Sequence, residues 1–139
     1  MSVNEAIVQE VRQSYGRCNL SPTFYEDFYK NFFAKSPEIR QKFLHTDMEL
    51  QKDALQHGLA FLILYAKGGN FTAEKKVHQL AESHSKKQHD ISPHLYPFWV
   101  AALLETVQGH DKKCTDTLLK QWKEVLDVGI QVIQAGYNQ

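Results

Sequence analysis

Apolar side chains recur along this chain at intervals of three and four residues, with polar side chains between them. That spacing gathers them on one face of an α-helix. Clear runs of alternating apolar and polar residues, which would indicate strands, are missing. The pattern therefore predicts an all-α protein of six main helices and one short helix, in one domain covering residues 1–139.

The bounds of the predicted helices follow from caps, prolines and glycines. Pro37 opens the short third helix, and Gly68 and Gly69 end the long fourth helix. The fifth begins at the cap residue Thr72 and fades after Lys87. Ser21 and Pro22 open the second helix as cap and first turn. The approximate ranges of the seven predicted helices are 4–17, 21–33, 36–43, 48–67, 72–87, 93–109 and 115–135.

The second predicted helix has a heavy aromatic load in the stretch FYEDFYKNFF. Phe28 and its aromatic neighbours would either pack as ordinary core or wall a large, flat, apolar ligand. Tyr29 differs from the phenylalanines because a buried hydroxyl needs a hydrogen-bond partner. Phe43 stands alone beside a polar connection, so it is either a plug for the local core or one wall of a pocket.

The fourth predicted helix is apolar nearly all round, which predicts neighbours on two sides and a central place in the fold. Each of its two apolar stripes carries one polar residue, Gln51 on the first and His57 on the second. Each of these two is either a ligand contact or a side chain at the exposed edge of the helix.

His84 lies on the buried stripe of the otherwise polar fifth helix, together with Val77, Leu80 and Ala81. An unpaired polar group in an apolar interior costs a few kcal/mol, so this imidazole must have a partner. The partner is either a hydrogen-bonding group of the protein or a metal on the ring nitrogen. Periodicity alone leaves both alternatives open.

Composition narrows the function without choosing one. The chain has 16 basic and 16 acidic residues and no run of like charge, which disfavours nucleic acid and anionic membranes as partners. The apolar run from Leu59 to Ala66 is far shorter than the roughly 20 residues of a membrane span, and the start lacks a signal-peptide pattern. Cys18 and Cys114 fit reduced thiols. We expect a soluble cytoplasmic protein.

Frequent enzyme signatures are absent from the sequence, among them a phosphate-binding glycine loop and a nucleophile elbow. His84, His89 and His94 are spaced by five residues, which is the wrong phase for one helical face. The combination of an inward His84 with a long apolar helix and the polar Tyr29 suits an iron porphyrin instead, which needs an axial imidazole and an apolar cleft with hydrogen-bond donors.

Over essentially its whole length the sequence resembles the globin superfamily, and bacterial single-domain globins and flavohaemoglobin globin domains most closely. The resemblance is carried by FYKNFFAKSPEIRQKF, QKDAL, LAESH followed by HDI, LYPFW and a late QW. It implies a globin fold around haem b, with His84 as the proximal iron ligand, Phe43 stacked on the haem and Tyr29 facing bound dioxygen. The other implied haem contacts are Phe28, Leu55, Leu80, His89, Ile91 and Tyr96.

The distal residue has two candidates in this resemblance. QKDAL matches Gln51 to the distal glutamine of bacterial globins, whereas His57 and Gly58 imitate the distal His-Gly pair of animal globins. Six residues along a helix are about 120° apart in phase, so only one can face the iron. The longer match favours Gln51, and Lys52 and His57 remain alternatives as direct sixth ligands.

The resemblance implies a haem protein that binds dioxygen and other diatomic gases reversibly, as a monomer or weak homodimer. Donors at Tyr29 and Gln51 would stabilise the partly negative oxygen and slow its release. Nitric oxide oxidation would need an external reductase. A gas sensor that acts through a partner protein is the alternative. In flavohaemoglobins a tyrosine and a glutamate stiffen the proximal histidine; here Tyr96 matches the tyrosine, but Tyr137 lies near the place of the glutamate.

Overall fold

The computed structural model describes residues 2–138, and no strand occurs among them. Seven α-helices follow one another, and a single 3-10 turn, Pro93–Leu95, leads into the sixth. The all-α prediction and the count of six longer helices plus a short one are confirmed. The helices are α1 Glu5–Cys18, α2 Phe24–Phe33, α3 Pro37–Lys42, α4 Met48–Lys67, α5 Phe71–Ser83, α6 Tyr96–His110 and α7 Asp116–Ala135.

Most helices begin at a polar side chain that accepts a hydrogen bond from the first turn. Asn4 caps α1, Ser36 caps α3, Asp47 caps α4 and Thr115 caps α7, each through a side-chain oxygen. These residues satisfy backbone N–H groups that have no partner within the helix. The predicted start of the last helix at residue 115 is therefore confirmed, with Thr115 as its cap.

Two predicted caps are wrong. Ser21 does not cap α2, which begins at Phe24; its hydroxyl lies 2.8 Å from Nδ1 of His110 on α6 instead. Thr72 does not cap α5, because Asn70 accepts the hydrogen bond from the backbone N–H of Ala73. No side chain caps α2, and the hydroxyl of Ser21 contacts the distant His110, whereas the nearby Asn70 takes the cap position that was predicted for Thr72.

The predicted end of the fifth helix at Lys87 is also wrong, since α5 ends at Ser83 and His84 is its C-cap residue. The backbone N–H of Lys86 donates to the carbonyl of Tyr137 at 2.8 Å, beyond the end of α7. This contact with a residue just beyond α7 replaces the intrahelical bond that would have continued α5. The chain after His84 consequently runs as turns rather than helix.

The long helix α4 is central, as its two apolar stripes predict. It packs on α1, α2, α5 and α7, while α2 packs mainly on α6. Gly129 on α7 permits a close approach to α4, because a Cβ at that position would lie 2.4 Å from Cδ2 of Leu62. Large buried side chains such as Trp122 and Phe24 fill the core between these helices.

A buried polar cluster joins α1 to the α6–α7 connection; we call Ser14, Arg17, Asp111 and Trp122 the Asp111 cluster. Arg17 binds Asp111 with two nitrogens, Nε at 2.6 Å and Nη2 at 2.9 Å. Ser14 donates to the same carboxylate at 2.6 Å and accepts from Nε1 of Trp122 at 2.9 Å. Each of these polar groups therefore has a protein partner, as burial requires.

None of the helices within residues 2–138 combines the length and apolar character needed to cross a membrane.

Candidate functional site

A cavity of about 430 Å³ lies beside α4 and is walled by α2, α3, α5, α6 and α7. This volume falls in the range of small-molecule and cofactor sites. Its lining is mainly apolar and includes nine of the predicted site residues, which are Tyr29, Phe43, Gln51, Leu55, Leu80, His84, His89, Ile91 and Tyr96. The structure thus gathers at one cavity residues that are up to 67 positions apart in sequence.

Phe28 is the predicted site residue that does not line the cavity. It is fully buried, and its ring packs against Tyr29, Phe32 and Trp99 at centroid distances of 5.0, 5.5 and 5.9 Å. All three of these neighbours line the cavity. Phe28 therefore supports the wall from behind.

His84 lines the cavity from the end of α5. Its ring nitrogen Nδ1 lies 2.8 Å from the carbonyl oxygen of Leu80 and 3.1 Å from Oγ of Ser83. A carbonyl oxygen can only accept, so Nδ1 carries the proton and donates it to Leu80. Burial lowers the pKa of His84, and the Leu80 carbonyl only partly offsets this effect. The neutral ring therefore presents Nε2 with a free lone pair, the form that binds a metal.

Tyr29 on α2 and Gln51 on α4 form a hydrogen-bonded pair in another wall of the cavity. Nε2 of Gln51 donates to the Tyr29 hydroxyl oxygen at 3.0 Å. This bond uses the oxygen of Tyr29 as acceptor and leaves the hydroxyl proton available. Burial raises the pKa of Tyr29 to about 12, with a smaller opposing effect from Gln51. The hydroxyl consequently stays protonated at neutral pH and can donate into the cavity.

The two other candidates for the distal position lie outside this lining. The His57 side chain is 64% exposed, and its Nδ1 lies 2.8 Å from the carbonyl oxygen of Asp53 one turn back. Lys52 pairs with Glu49 at 2.8 Å on the helix surface. Helical phase explains the difference, because α4 turns its Gln51 side towards the cavity and these neighbours away from it.

Phe43 lies at the end of α3 and contributes an aromatic edge to the cavity. Its ring is tilted against those of Tyr29 and Phe33, at centroid distances of 5.9 and 5.5 Å. It also meets Phe32 edge-on at 6.1 Å. Phe43 is thus a cavity-lining residue packed on an aromatic cluster, so both sequence interpretations of this residue contain part of its role.

Neither Tyr96 nor Tyr137 supports the His84 ring by a hydrogen bond. Tyr96 lines the cavity, and burial raises the pKa of its hydroxyl, but the described partners of the His84 ring are Leu80 and Ser83. Tyr137 donates to Oδ1 of Asp90 at 2.5 Å. The Leu80 carbonyl and the Ser83 hydroxyl are the groups that hold the ring, which gives no structural support to a peroxidase-like proximal arrangement.

The three histidines at intervals of five do not converge. The ring of His89 lies 6.3 Å from that of His84 and lines the cavity, whereas His94 binds Glu38 at 2.8 Å on the surface. Between residues 2 and 138, no group of three histidine, cysteine, aspartate or glutamate side chains could hold a metal ion.

Sequence reasoning missed several lining residues, among them Lys42, Ser83 and Trp99. Lys42 directly precedes Phe43, so the aromatic at the cavity edge could have pointed to it. Trp99 lies on the sixth helix, where periodicity does not distinguish a core side chain from a cavity wall. Ser83 was missed because it lies beside His84 rather than on its helical stripe.

These residues fit an iron porphyrin. One wall supplies an imidazole nitrogen with a free lone pair, another supplies a protonated hydroxyl, and the remaining lining is mostly apolar and aromatic. Axial imidazole, apolar enclosure and a few hydrogen-bond donors are the means by which proteins hold and tune haem. A zinc or magnesium site would instead need several converging polar ligands.

The chain belongs to the globin family, since the family model described as Globin matches residues 26–133. It is also similar to a protein from Pseudomonas aeruginosa PAO1, whose crystal structure is described as structurally highly homologous to a human hemoglobin. The two are 42% identical with a TM-score of 0.91, over 96% of this chain and 99% of that chain. No match was found among curated proteins.

The predicted globin fold is therefore confirmed, and the protein is a haem-binding globin of the bacterial single-domain type. Family membership also implies diatomic gases as its ligands.

Proposed function

We propose that this protein binds dioxygen reversibly at haem b held by Nε2 of His84. The observation that carries the proposal is the hydrogen bonding of His84 and Tyr29, which line the same cavity. Nδ1 of His84 donates a hydrogen bond to the carbonyl of Leu80, so the lone pair of Nε2 stays available. The hydroxyl oxygen of Tyr29 accepts a hydrogen bond from Gln51, so the hydroxyl proton stays available. One wall can therefore ligate a metal while another donates to a ligand.

Haem iron, when bound, supplies the coordination position for a diatomic gas and polarises that gas. Tyr29 would donate a hydrogen bond to the polarised ligand, and the hydrogen bond from Gln51 would hold the Tyr29 oxygen in place. A hydrogen bond to a charged group is worth about 1.5 to 3 kcal/mol, or roughly ten- to a hundredfold in retention. We therefore expect slow dioxygen release.

On the side of His84, the carbonyl of Leu80 fixes which ring nitrogen is protonated and orients the ring. A carbonyl acceptor raises the electron density of the imidazole less than a carboxylate would. The proposed role of His84 is thus that of a neutral ligand, which favours reversible gas binding over oxidative bond cleavage. His89 would lie near the haem edge or its propionates, and Phe43 would pack on the macrocycle.

The same donors would also serve nitric oxide oxidation to nitrate, if an external reductase supplies the electron for each turnover. A sensor that signals through dimerisation of its last two helices has less support. The exposed large apolar side chains within residues 2–138 are Leu20, Leu44, Leu50 and Phe71, and none of these lies on α6 or α7. We therefore propose that the protein binds gas as a monomer or weak homodimer.

Haem titration of the purified full chain tests the proposal. We expect a Soret band to grow to one equivalent of haem and the ferrous form to bind carbon monoxide and dioxygen. A ferrous spectrum that is five-coordinate before gas is added would agree with the open position beside Tyr29. No Soret band after haem addition would overturn haem binding, and a six-coordinate ferrous spectrum would overturn the open distal position.

Rapid mixing separates dioxygen storage from nitric oxide oxidation. The dioxygen-bound protein is mixed with nitric oxide, and nitrate is then measured over repeated cycles with a flavin reductase and NADH. Sustained nitrate formation with the reductase would favour the oxidation role, whereas a single turnover that the reductase does not extend would favour storage.

A further inference from the structure

Asp90 has a backbone conformation that is rare for its residue type. Its φ is +54°, and it is the only residue other than glycine with positive φ among residues 2–138. This left-handed conformation costs a side-chain-bearing residue about 1 kcal/mol, although aspartate tolerates it better than most. Such a conformation persists only where surrounding contacts enforce it.

The contacts of Asp90 come from two distant parts of the chain. Tyr137, just after α7, donates its hydroxyl proton to Oδ1 at 2.5 Å. Nζ of Lys42 at the end of α3 donates to the Asp90 carbonyl oxygen at 2.7 Å and lies 3.7 Å from Oδ2. We call Lys42, Asp90 and Tyr137 the Asp90 tie. The Tyr137 hydrogen bond, followed by the charges of Lys42 and Lys86, lowers the pKa of Asp90 below its ordinary value.

The segment 85–91, which contains Asp90, begins directly after His84 and forms part of the cavity wall. Within it, the N–H of Asp90 donates to the carbonyl of Ser85 at 2.9 Å. His89 and Ile91 of this segment line the cavity. The N–H of Ile91 donates back to the carbonyl of His84 at 3.2 Å. A displacement at Asp90 would consequently be felt both at the wall and at the His84 backbone.

We propose that Asp90 is a positioning residue, which ties the wall segment 85–91 to the ends of α3 and α7 and thereby holds His84 in register and haem in the cavity. Asp90 itself is not among the described residues that line the cavity. It acts through Lys42, which lines the cavity, and through the backbone of the wall segment 85–91. The proposal rests on the proposed role of His84 as the iron ligand.

Graded variants of the tie test this role. Asp90→Gly keeps the left-handed backbone, because glycine adopts positive φ freely, but removes both side-chain contacts. Tyr137→Phe removes only one hydroxyl. Asp90→Asn keeps an acceptor oxygen for Tyr137 and tolerates the backbone, so only the charge facing Lys42 is lost. The control Asp127→Asn removes the same charge from a surface pair with Lys123 at 2.9 Å.

The first measurement is haem transfer from each full-length protein to an excess of apomyoglobin. We expect transfer to be faster by about tenfold in Asp90→Gly, about fivefold in Tyr137→Phe and about twofold in Asp90→Asn, with Asp127→Asn equal to the wild type; these factors are discounted for solvent exposure. Equal rates in Asp90→Gly, Tyr137→Phe and the wild type would overturn the proposal. So would an effect of Asp90→Asn as large as that of Asp90→Gly.

The second measurement reports on His84 itself. Resonance Raman spectra of the ferrous protein without gas give the iron–histidine stretching frequency, which a merely structural loss of stability would not move. We expect a shifted or broadened band in Asp90→Gly and in Tyr137→Phe, and an unshifted band in Asp127→Asn. An unshifted band in both tie variants would overturn the positioning role.

Hydrogen exchange of the full chain without haem keeps this test separate from the proposed function. Amides 85–91 should exchange about tenfold faster in Asp90→Gly than in the wild type, while those of α4 stay unchanged. If the wild type binds no haem but this difference appears, the proposed function fails and the tie stands. Binding of haem by the wild type with no such difference would leave the function intact and overturn the tie.

Discussion

The Asp111 cluster and the cavity both bury polar side chains, but they differ in what those side chains leave unused. In the cluster, Arg17, Ser14 and Trp122 all donate to a protein acceptor. In the cavity, Gln51 donates to the oxygen of Tyr29, and the hydroxyl proton of Tyr29 remains available. Nδ1 of His84 donates to the carbonyl of Leu80, and the lone pair of Nε2 remains available.

The comparison teaches how to separate structural from functional polar groups in a core. A saturated network stabilises the fold, because an unpaired buried group would cost about 1 to 3 kcal/mol. A group with one remaining donor or lone pair towards a cavity can bind something else. Substitutions in the two regions should therefore have opposite profiles, with stability affected in one and ligand binding in the other.

The largest effect is expected from His84→Ala. Removing the imidazole removes the proposed iron ligand, so the Soret band should lose its wild-type position and haem should be lost rapidly. Added imidazole should restore much of the spectrum by entering the space left. His94→Ala is the matched control, because that ring binds Glu38 on the surface. A wild-type spectrum in His84→Ala would assign the ligand to another residue.

Tyr29→Phe should raise the dioxygen dissociation rate by roughly ten- to a hundredfold, since one hydrogen bond to a charged acceptor is lost. Stopped-flow displacement of dioxygen by carbon monoxide measures this rate. Phe33→Leu, beside Tyr29 at 5.7 Å, is a control for altered packing without loss of a donor. An unchanged rate in Tyr29→Phe would remove Tyr29 from the ligand's surroundings.

Asp111→Asn should give the opposite profile. It takes the charge away from Arg17 and should lower the free energy of unfolding by about 2 kcal/mol, as measured by urea denaturation. Dioxygen dissociation should remain at the wild-type rate, because the cluster lies outside the cavity lining. A dissociation rate changed by more than about twofold, or 0.4 kcal/mol, would show that the two regions are not independent.

The pH dependence of stability sharpens the same point. Burial by itself raises the pKa of Asp111, but the hydrogen bonds from Arg17 and Ser14 outweigh burial and leave that pKa below its ordinary value. The resulting stabilisation is present above the unfolded pKa of about 4 and is lost as the pH falls through the lower folded value. Urea midpoints between pH 6 and pH 3 should therefore fall less in Asp111→Asn than in the wild type. Parallel slopes would contradict this contribution.

The smallest effects concern the distal candidates on α4. Gln51→Leu should change dioxygen dissociation by roughly threefold, because Tyr29 loses the donor that holds its oxygen but keeps its own proton. His57→Leu should change nothing, since that side chain is 64% exposed and outside the cavity lining. A larger effect of His57→Leu than of Gln51→Leu would reverse the assignment.

Much of the architecture could be predicted because it depends on short-range order in the chain. Apolar spacing, the prolines at positions 37 and 97 and the glycines at positions 68 and 69 define where helices form and end. Two of the errors concern helix ends where a distant partner intervenes. Ser21 meets His110, and Lys86 meets Tyr137, from 89 positions and 51 positions away respectively.

The sequence by itself determined the helical fold, the inward orientation of His84 and, through the globin motifs, the set of residues expected around haem. Only the tertiary structure decided that Gln51 rather than His57 reaches the cavity, that Phe28 stands behind its wall, and that the Asp90 tie closes the segment after His84. Periodicity records which face of a helix is apolar. What that face meets depends on the packing of helices that are far apart in the chain, and this packing decides which donor or lone pair remains free.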